Sequence, residues 1–208
     1  TRGEMLFSKG IILVEGDSEE YLIPAFGRLL GHNFDELGIS VCSVSGTNFM
    51  PYVRLMSQKG LKIPFAVLTD YDPQDGKPAL GINRVIKIIK GIMEHQDFER
   101  LSDDDDDDKL LAQAPNLGVF MNNETLEVDL FRANCHNEMC ESLIELTTNK
   151  NAQLRASDWK NNPGNLDTEW LLKDIKDIGK GRFAQRLASR LTDNCCPNYI
   201  REAIEYVF

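Results

Sequence analysis

The chain has 208 residues, of which 42% are hydrophobic and 27% are charged, and its formal net charge is −10. This composition is that of a globular protein with a substantial core, and no apolar run approaches the roughly 20 residues that span a membrane. Removing the six aspartates of residues 103–108 leaves a charge of about −4. Sequence-independent binding of nucleic acid usually needs a basic face. Metal ions, local Lys/Arg clusters or another domain would have to supply that charge.

The five cysteines are odd in number and form no CxxC pair. This pattern indicates reduced thiols rather than a disulfide framework, and with no signal peptide it favours a bacterial cytoplasm. Cys135, His136 and Cys140 match no common spacing of zinc ligands, so structural thiols are the preferred interpretation. The chain begins with Thr1 rather than with methionine, and we expect it to be part of a longer protein.

Four short apolar runs predict β-strands at residues 11–14, 39–44, 63–68 and 117–121. Segments with helical spacing of apolar residues separate them, at residues 17–30, 49–58 and 82–93. This alternation predicts an α/β fold with a mostly parallel four-stranded sheet flanked by helices.

The remainder of the chain predicts an additional helical subdomain. Its helices are expected at residues 125–131, 137–146, 152–160, 168–178, 182–191 and 197–207. We therefore divide the chain into an α/β core at residues 1–130, with an Asp-rich insertion near residues 97–116, and a helical region at residues 131–208. The aspartate run at residues 103–108 is predicted to be a solvated, mobile loop.

A polar residue or a glycine follows each predicted strand. The four residues in these positions are Glu15, Gly46, Asp70 and Asn122. The strands of a parallel sheet all end on one edge, and ligands bind in the crevice outside their carboxyl ends. We therefore expect these four positions to converge on one site.

Further acids lie close to two of these strand ends. Asp72 follows Asp70 by two residues, and an extended backbone would point both carboxylates the same way. Glu19 follows Glu15 by four residues, one helical turn further on. Acids after strands also cap helices and lie in turns, but four on one predicted edge favour a metal site. Oxygen ligands without His or Cys suit Mg²⁺ or Mn²⁺.

Two later segments could complete this site. Glu124 and Glu127 are three residues apart, and a helix would place both on one face, although ordinary exposed acids share this spacing. Lys180 lies between two glycines at a predicted helix start, where a lysine is well placed to meet a phosphate. A simple helix end and turn would also explain these glycines.

These motifs resemble a known family. The EGxSE motif that begins at Glu15 and the DxD motif that begins at Asp70, with Gly46 between them, resemble the Toprim domain of topoisomerases, primases, RecR-like repair proteins and nucleases. The finer resemblance is to the C-terminal catalytic region of overcoming lysogenization defect (OLD) nucleases. It covers nearly the whole chain and is carried by VEGDSEEYLIPAF, LGISVCSVSGTNF, NNETLEVDL, KGRFAQRLA and PNYIREAIEYV.

The resemblance implies DNA cleavage with two divalent ions, Mg²⁺ or Mn²⁺, for which Ca²⁺ is expected to substitute without full activity. It implies a catalytic role for Lys180. It also implies, less strongly, that Glu124 is a metal ligand. The acids that it implies as catalytic metal ligands are Glu15, Glu19, Asp70, Asp72 and Glu127. Family members carry an N-terminal ABC-type ATPase, and the chain has no GxxxxGK[ST] motif. The expected partners are therefore DNA, that ATPase domain and a second copy of the chain, in phage defence or DNA repair.

Two other functions stay open at this point. Another Toprim enzyme, primase-like or topoisomerase-like, would share these acids, although a topoisomerase needs a tyrosine nucleophile and DNA-gate domains that this chain is too short to hold. A regulatory α/β domain like that of response regulators would bind metal without catalysis. Domains of that class carry a lone aspartate after the third strand, whereas this chain carries a DxD motif there. The sequence also leaves open whether DNA is nicked, cut through or digested from an end.

Overall fold

A computed structural model describes residues 3–58, 60–102 and 107–208 of the chain. Its centre is a four-stranded sheet in the order β2-β1-β3-β4, and every strand pair is parallel. The strands are β1 (Gly10–Val14), β2 (Ile39–Ser43), β3 (Phe65–Thr69) and β4 (Val119–Met121). The predicted α/β fold with a parallel four-stranded sheet is confirmed.

The strand order creates a crevice next to β1. The chain passes from β1 to β2 on one side and then returns to place β3 on the other side of β1. Such a reversal leaves an open crevice at the carboxyl ends of the two inner strands. In the register, Leu13 lies opposite Val67, so Glu15 and Asp70 leave the sheet next to each other.

Both faces of the sheet are covered, which explains why the strands are apolar throughout. All five residues of β1 are buried. Ile12 and Val14 pack into one apolar cluster, whereas Ile11 and Leu13 pack into another on the opposite face. This alternation follows from the two-residue period of a strand.

One face is covered by helices from the middle of the chain. They are α3 (Met50–Met56), α4 (Leu80–Ile92), α5 (His95–Ser102) and α6 (Asp107–Gln113). The predicted loop at residues 103–108 is only partly testable, because residues 103–106 lie outside the described residues. Asp107 and Asp108 form the first turn of α6 instead of a loop, a position where acids interact favourably with the helix dipole.

The other face is covered by α1 and α2 and by helices from the last third of the chain. They are α1 (Asp17–Leu29), α2 (Phe34–Leu37), α7 (Leu126–Leu130), α8 (His136–Leu146), α9 (Lys150–Asn161), α10 (Thr168–Ile178), α11 (Lys180–Ala188) and α12 (Asn198–Tyr206). These helices confirm the additional helical part. One apolar cluster contains residues from both parts of the chain, such as Val14 and Ile204. The division at residue 130 therefore stays a prediction.

The chain kinks between α7 and α8. A π-helical segment, Phe131–Cys135, follows α7 directly, and Ala133 and Asn134 within it leave helical geometry. Asn134 has a φ of 64°, a left-handed conformation that asparagine tolerates better than most residues. Within the described ranges of the chain, no helix is long and apolar enough to cross a membrane.

Candidate metal centre

Glu15 is held tightly at the end of β1. Its Oε1 accepts hydrogen bonds from Thr69 Oγ1 at 2.6 Å, from the Asp70 N–H at 3.0 Å and from Arg84 Nη1 at 2.5 Å. These donors come from the end of β3 and from α4. The carboxylate is therefore fixed in the crevice between the two inner strands, as the parallel topology predicts.

Arg84 links the two acidic motifs, and the sequence analysis did not identify it. Its guanidinium also donates to Thr69 Oγ1 at 2.8 Å, to the Asp70 carbonyl at 3.0 Å and to Asp72 Oδ2 at 2.8 Å. Only 10% of its side chain is exposed. Arg84 is thus a largely buried cation that pairs with both Glu15 and Asp72.

A close approach of α4 to the DxD loop delivers this arginine. The N–H of Gly81 donates to the Tyr71 carbonyl at 2.9 Å, and a Cβ on Gly81 would collide with the carbonyl oxygen of Asp70. Gly81, Val85 and Ile88 form the buried face of α4, and Arg84 lies between them in helical spacing. An arginine on the buried face near the start of a helix was the one available sequence signal.

The two aspartates of the DxD motif do not share one extended segment. Asp72 has a φ of 51°, so the backbone turns there, and its N–H donates to the Glu124 carbonyl at 3.1 Å. The Asp70 carboxylate accepts instead from the side chain of Asn122 and from the Leu126 N–H at 3.1 Å. The expectation that an extended backbone aligns both carboxylates was wrong, because a left-handed residue breaks the two-residue period.

Glu127 lies on α7 and meets side chains of α1 and α11. Only 2% of it is exposed, and its Oε1 lies 3.1 Å from Lys180 Nζ and 3.5 Å from Ser18 Oγ. Its Oε2 is buried and has no hydrogen-bond partner among the described residues. A buried carboxylate oxygen without a donor is costly, so this oxygen is available for a cation.

Burial and mutual repulsion raise the pKa of two acids in this crevice. For Glu19, burial raises the pKa to about 8, with further contributions from Asp70, Glu127 and Glu15 against the lowering effect of its own backbone N–H. For Asp70, burial raises the pKa to about 7, helped by Glu15 and Glu127 and opposed by the hydrogen bond from Asn122. The carboxylates are thus more numerous than the cations that neutralise them.

These residues enclose a cleft of about 180 Å³. The described residues that line it are Glu15, Gly16, Asp17, Ser18, Glu19, Gly46, Asp70, Leu126, Glu127 and Lys180. Gly46 has a φ of 132° and its N–H donates to the Glu15 carbonyl at 2.8 Å, which explains a glycine at this strand end. The structure therefore brings together Glu15, Glu19, Asp70, Glu127 and Lys180 around one cleft.

Asp72 and Glu124 are placed differently. Asp72 reaches the site through its ion pair with Arg84. Glu124 precedes α7, which begins at Leu126, and its carboxylate pairs with Arg132. A helix therefore does not place Glu124 and Glu127 on one face, and neither Asp72 nor Glu124 is among the described residues that line the cleft.

Lys180 is the first residue of α11. Gly179, with a φ of 98°, ends α10 and turns the chain so that the next helix begins immediately. Burial lowers the pKa of Lys180, but Glu127 and the more distant Asp70 and Glu19 raise it by more, so the net shift is upward. The ammonium group therefore stays charged at the cleft, with 53% of its side chain exposed.

A parallel sheet with acids after its first and third strands defines the Toprim class of domain, and the comparisons with known proteins agree. Residues 6–72 match the family model described as "Overcoming lysogenization defect protein-like, TOPRIM domain". The C-terminal region of the Burkholderia pseudomallei OLD protein is 42% identical, with 97% of each chain covered and a TM-score of 0.88. The C-terminal region of the Xanthomonas campestris pv. campestris OLD protein, phased with mercury, is 39% identical, with 97% of this chain and 95% of that chain covered and a TM-score of 0.83.

The chain belongs to the OLD family and corresponds to its C-terminal Toprim region. It is also 31% identical over 85 residues to the uncharacterized protein YbjD of Escherichia coli (strain K12). That match covers 41% of this chain and 15% of YbjD, so the chain spans a small part of that curated relative. Toprim domains in general bind divalent metal ions.

Proposed function

We propose that the chain is the catalytic half of an ATPase-nuclease and that it hydrolyses DNA phosphodiester bonds with two divalent ions, Mg²⁺ or Mn²⁺. One observation carries the proposal. Carboxylates from the ends of two strands and from two helices converge on one cleft that also holds a lysine. Such a cleft matches a metal site that handles phosphate esters.

The residues of the cleft fit divalent ions of this kind. All the acidic side chains offer oxygen, the ligand that Mg²⁺ and Mn²⁺ prefer. The unpartnered Oε2 of Glu127 and the raised pKa values of Glu19 and Asp70 both indicate missing positive charge. The proposed ligands are Glu15, Glu19, Asp70, Asp72 and Glu127. We leave out Glu124, whose carboxylate pairs with Arg132 and not with Arg84, the cation that Glu15 and Asp72 share.

When bound, the ions would supply Lewis-acid polarisation of the phosphate and a water of lowered pKa. The chain itself supplies positioned charge. Lys180 is anchored at Glu127 while half of its side chain faces solvent, so its ammonium can reach a phosphate oxygen and stabilise the charge that develops there. Arg84 and Thr69 fix the carboxylate of Glu15, which keeps one wall of the cleft in place without reorganisation.

DNA binding needs positive charge that the acidic chain largely lacks. The bound ions would neutralise the carboxylates, and Lys180 and the exposed Arg182 on α11 would add charge at the same edge. An N-terminal ATPase domain in the longer protein would be a further source, and a homodimer would place two such edges together.

The proposal is tested by plasmid cleavage. Supercoiled DNA is incubated with the chain and Mg²⁺, Mn²⁺, Ca²⁺ or EDTA, next to the variants Asp70→Ala and Asp35→Ala. Asp35 is exposed on α2 and does not line the cleft, so it serves as the matched control. We expect nicking or linearisation with Mg²⁺ or Mn²⁺ that falls by at least about 10³-fold in Asp70→Ala and is unchanged in Asp35→Ala.

Cleavage in EDTA, or normal cleavage by Asp70→Ala with metal, would contradict this assignment. Intact plasmid under every metal would call for the same comparison with the full-length protein. If the full-length protein also bound metal and left DNA intact, the regulatory alternative would be favoured.

A further inference from the structure

A second group of metal-ligating side chains lies outside the acidic cleft. The sulfurs of Cys135 and Cys195 and a carboxylate oxygen of Glu138 all lie within 4.8 Å of one another. Both cysteines are completely buried and neither forms a disulfide. Three donors of this kind in the interior are a set that thiophilic metals use.

An independent observation points to a missing cation at this place. Oε2 of Glu138 is buried and finds no hydrogen-bond partner among the described residues. No lysine, arginine or histidine in the described part of the chain forms an ion pair with this carboxylate. A buried carboxylate oxygen with no donor is unfavourable unless a proton or a cation neutralises it.

We propose that Cys135, Glu138 and Cys195 bind one Zn²⁺ ion in a structural site that is separate from the acidic cleft. Zn²⁺ prefers sulfur and borderline ligands, whereas Mg²⁺ does not take thiolates. In a tetrahedral site with Zn–S bonds of about 2.3 Å, two sulfurs stand about 3.8 Å apart. The upper limit of 4.8 Å on the donor separations in the structure is compatible with this geometry. The second oxygen of Glu138 or a water would complete the coordination.

The position of the three ligands in the fold indicates that the ion would cross-link two segments of the chain. Cys135 ends the kinked segment after α7, Glu138 lies in the first turn of α8, and Cys195 closes a short turn before α12. An ion at this point would join that kink to the turn that leads into α12, which packs against β3 and β4. It would thereby fix α7, the helix that carries Glu127, against the sheet.

Sequence spacing could not reveal this group. The ligands are contributed by segments about 60 residues apart, and His136 and Cys140, which seemed the nearer partners of Cys135 in the sequence, are not members of it. Only the packing of the kinked segment Phe131–Cys135, which leads into α8, against the turn at Asp193–Cys195 brings the three side chains together.

Metal content and Co²⁺ spectroscopy test the proposal without reference to nuclease activity. The reduced chain is loaded with Zn²⁺, dialysed against excess Mg²⁺ and analysed for metal, and a second sample is loaded with Co²⁺. We expect about one Zn²⁺ per chain to remain, and a thiolate-to-Co²⁺ charge-transfer band in the near ultraviolet. Asp70→Ala should retain both signals, because the acidic cleft does not contribute to them.

Variants assign the ligands. Cys135→Ser and Cys195→Ser should lose the band and at least about tenfold in Zn²⁺ affinity. Glu138→Gln should lose affinity while the band, which reports sulfur, shifts. Cys140→Ser is the matched control, since Cys140 is a completely buried cysteine outside the group, and it should keep both. Circular dichroism of each variant separates loss of ligand from loss of fold.

Three results would overturn the proposal. The first is wild-type chain that retains no Zn²⁺ and shows no charge-transfer band. The second is a Cys140→Ser variant that is folded and loses the band as completely as Cys135→Ser. The third is a thiol titration of the denatured, never-reduced chain that finds two of the five cysteines joined as a Cys135–Cys195 disulfide.

Discussion

The two halves of the acidic cleft neutralise their carboxylates in different ways. On the half that we call the arginine side, Glu15, which lines the cleft, shares the almost fully buried Arg84 with Asp72, which lies outside the lining. These carboxylates have their counter-charge built into the fold. On the arginine side, the ion pairs with Arg84 therefore neutralise the carboxylates without a metal ion.

The other half, the lysine side, lacks such a network. Glu127 shares the half-exposed Lys180 and keeps one oxygen without a partner, and Glu19 has a pKa raised to about 8 by burial and neighbouring acids. Because positive charge is missing here, we expect this side to accept a divalent ion without displacing a protein cation. An ion that binds Glu15 or Asp72 has to compete with Arg84.

The largest expected effect comes from removing the arginine. Arg84→Met should lower the free energy of unfolding of the metal-free chain by about 3–5 kcal/mol, because it leaves two partly buried carboxylates without their cation. Mg²⁺ should restore part of this loss, since the ion can then take over the arginine side. Urea denaturation in EDTA and in Mg²⁺ measures both.

Arg186→Met is the control for this experiment. Arg186 pairs with Glu145 on an exposed surface, and exposed ion pairs of this kind contribute little to stability. If Arg84→Met were no more destabilising than this control, the arginine side would not be the compensated half.

Removing the lysine should affect both catalysis and stability. Lys180→Ala should lower kcat by about 10²–10³-fold, the range seen when one positioned group that stabilises transition-state charge is lost. Metal-free stability should also fall, because the almost fully buried Glu127 loses the cation that pairs with it. Plasmid cleavage at saturating Mg²⁺ provides the rate, and urea denaturation provides the stability.

Lys176→Ala, at an exposed lysine near the end of α10, should leave the rate unchanged. Lys180→Arg should recover part of the rate, because charge is kept at a different reach. An unchanged rate for Lys180→Ala at saturating metal would remove this residue from the catalytic set.

The smallest effect concerns pH. The folded pKa values of Glu19 and Asp70, about 8 and about 7, lie above their ordinary values of 4.5 and 3.8. Between those limits the folded chain binds more protons than the unfolded chain, so the free energy of unfolding of metal-free protein should fall as pH rises from about 4 to 8. The slope is at most about 1.4 kcal/mol per pH unit for each proton.

Thermal or urea unfolding in EDTA at pH 6 and at pH 8 measures this slope. Glu19→Gln should flatten it, because the amide cannot ionise, while Glu169→Gln on the exposed start of α10 should leave it as it is. If the metal-free chain were more stable at pH 8 than at pH 6, the carboxylates of the lysine side would not lack positive charge, and this interpretation would be wrong.

Sequence patterns located the strands because each strand is buried on both faces. A continuous run such as Ile11–Val14 has no hydrophilic face to offer, and a parallel sheet is the fold that buries such runs. The parallel arrangement then gathers Glu15 and Asp70 at one edge whatever the detailed packing. Helical spacing placed Glu19 on the same side, where the structure has it lining the cleft.

Contacts between distant segments could not be predicted in this way. Arg84 enters the site because α4 packs against the DxD loop through Gly81. Asp72 pairs with Arg84, and Glu124 pairs with Arg132 at the start of the kinked segment. None of these depends on periodicity or on residue type alone.

The sequence by itself determined the class of fold and the edge of the sheet on which the acids lie. It also determined that these side chains offer oxygen atoms to a metal ion. The tertiary structure alone decided four features: the strand order, the burial of Arg84, the unpartnered oxygen of Glu127 and the contact of Cys135 with Cys195. The physical reason is the range of the forces involved. Local periodicity records which face of an element is buried, whereas charge compensation depends on which side chains packing brings within a few ångströms.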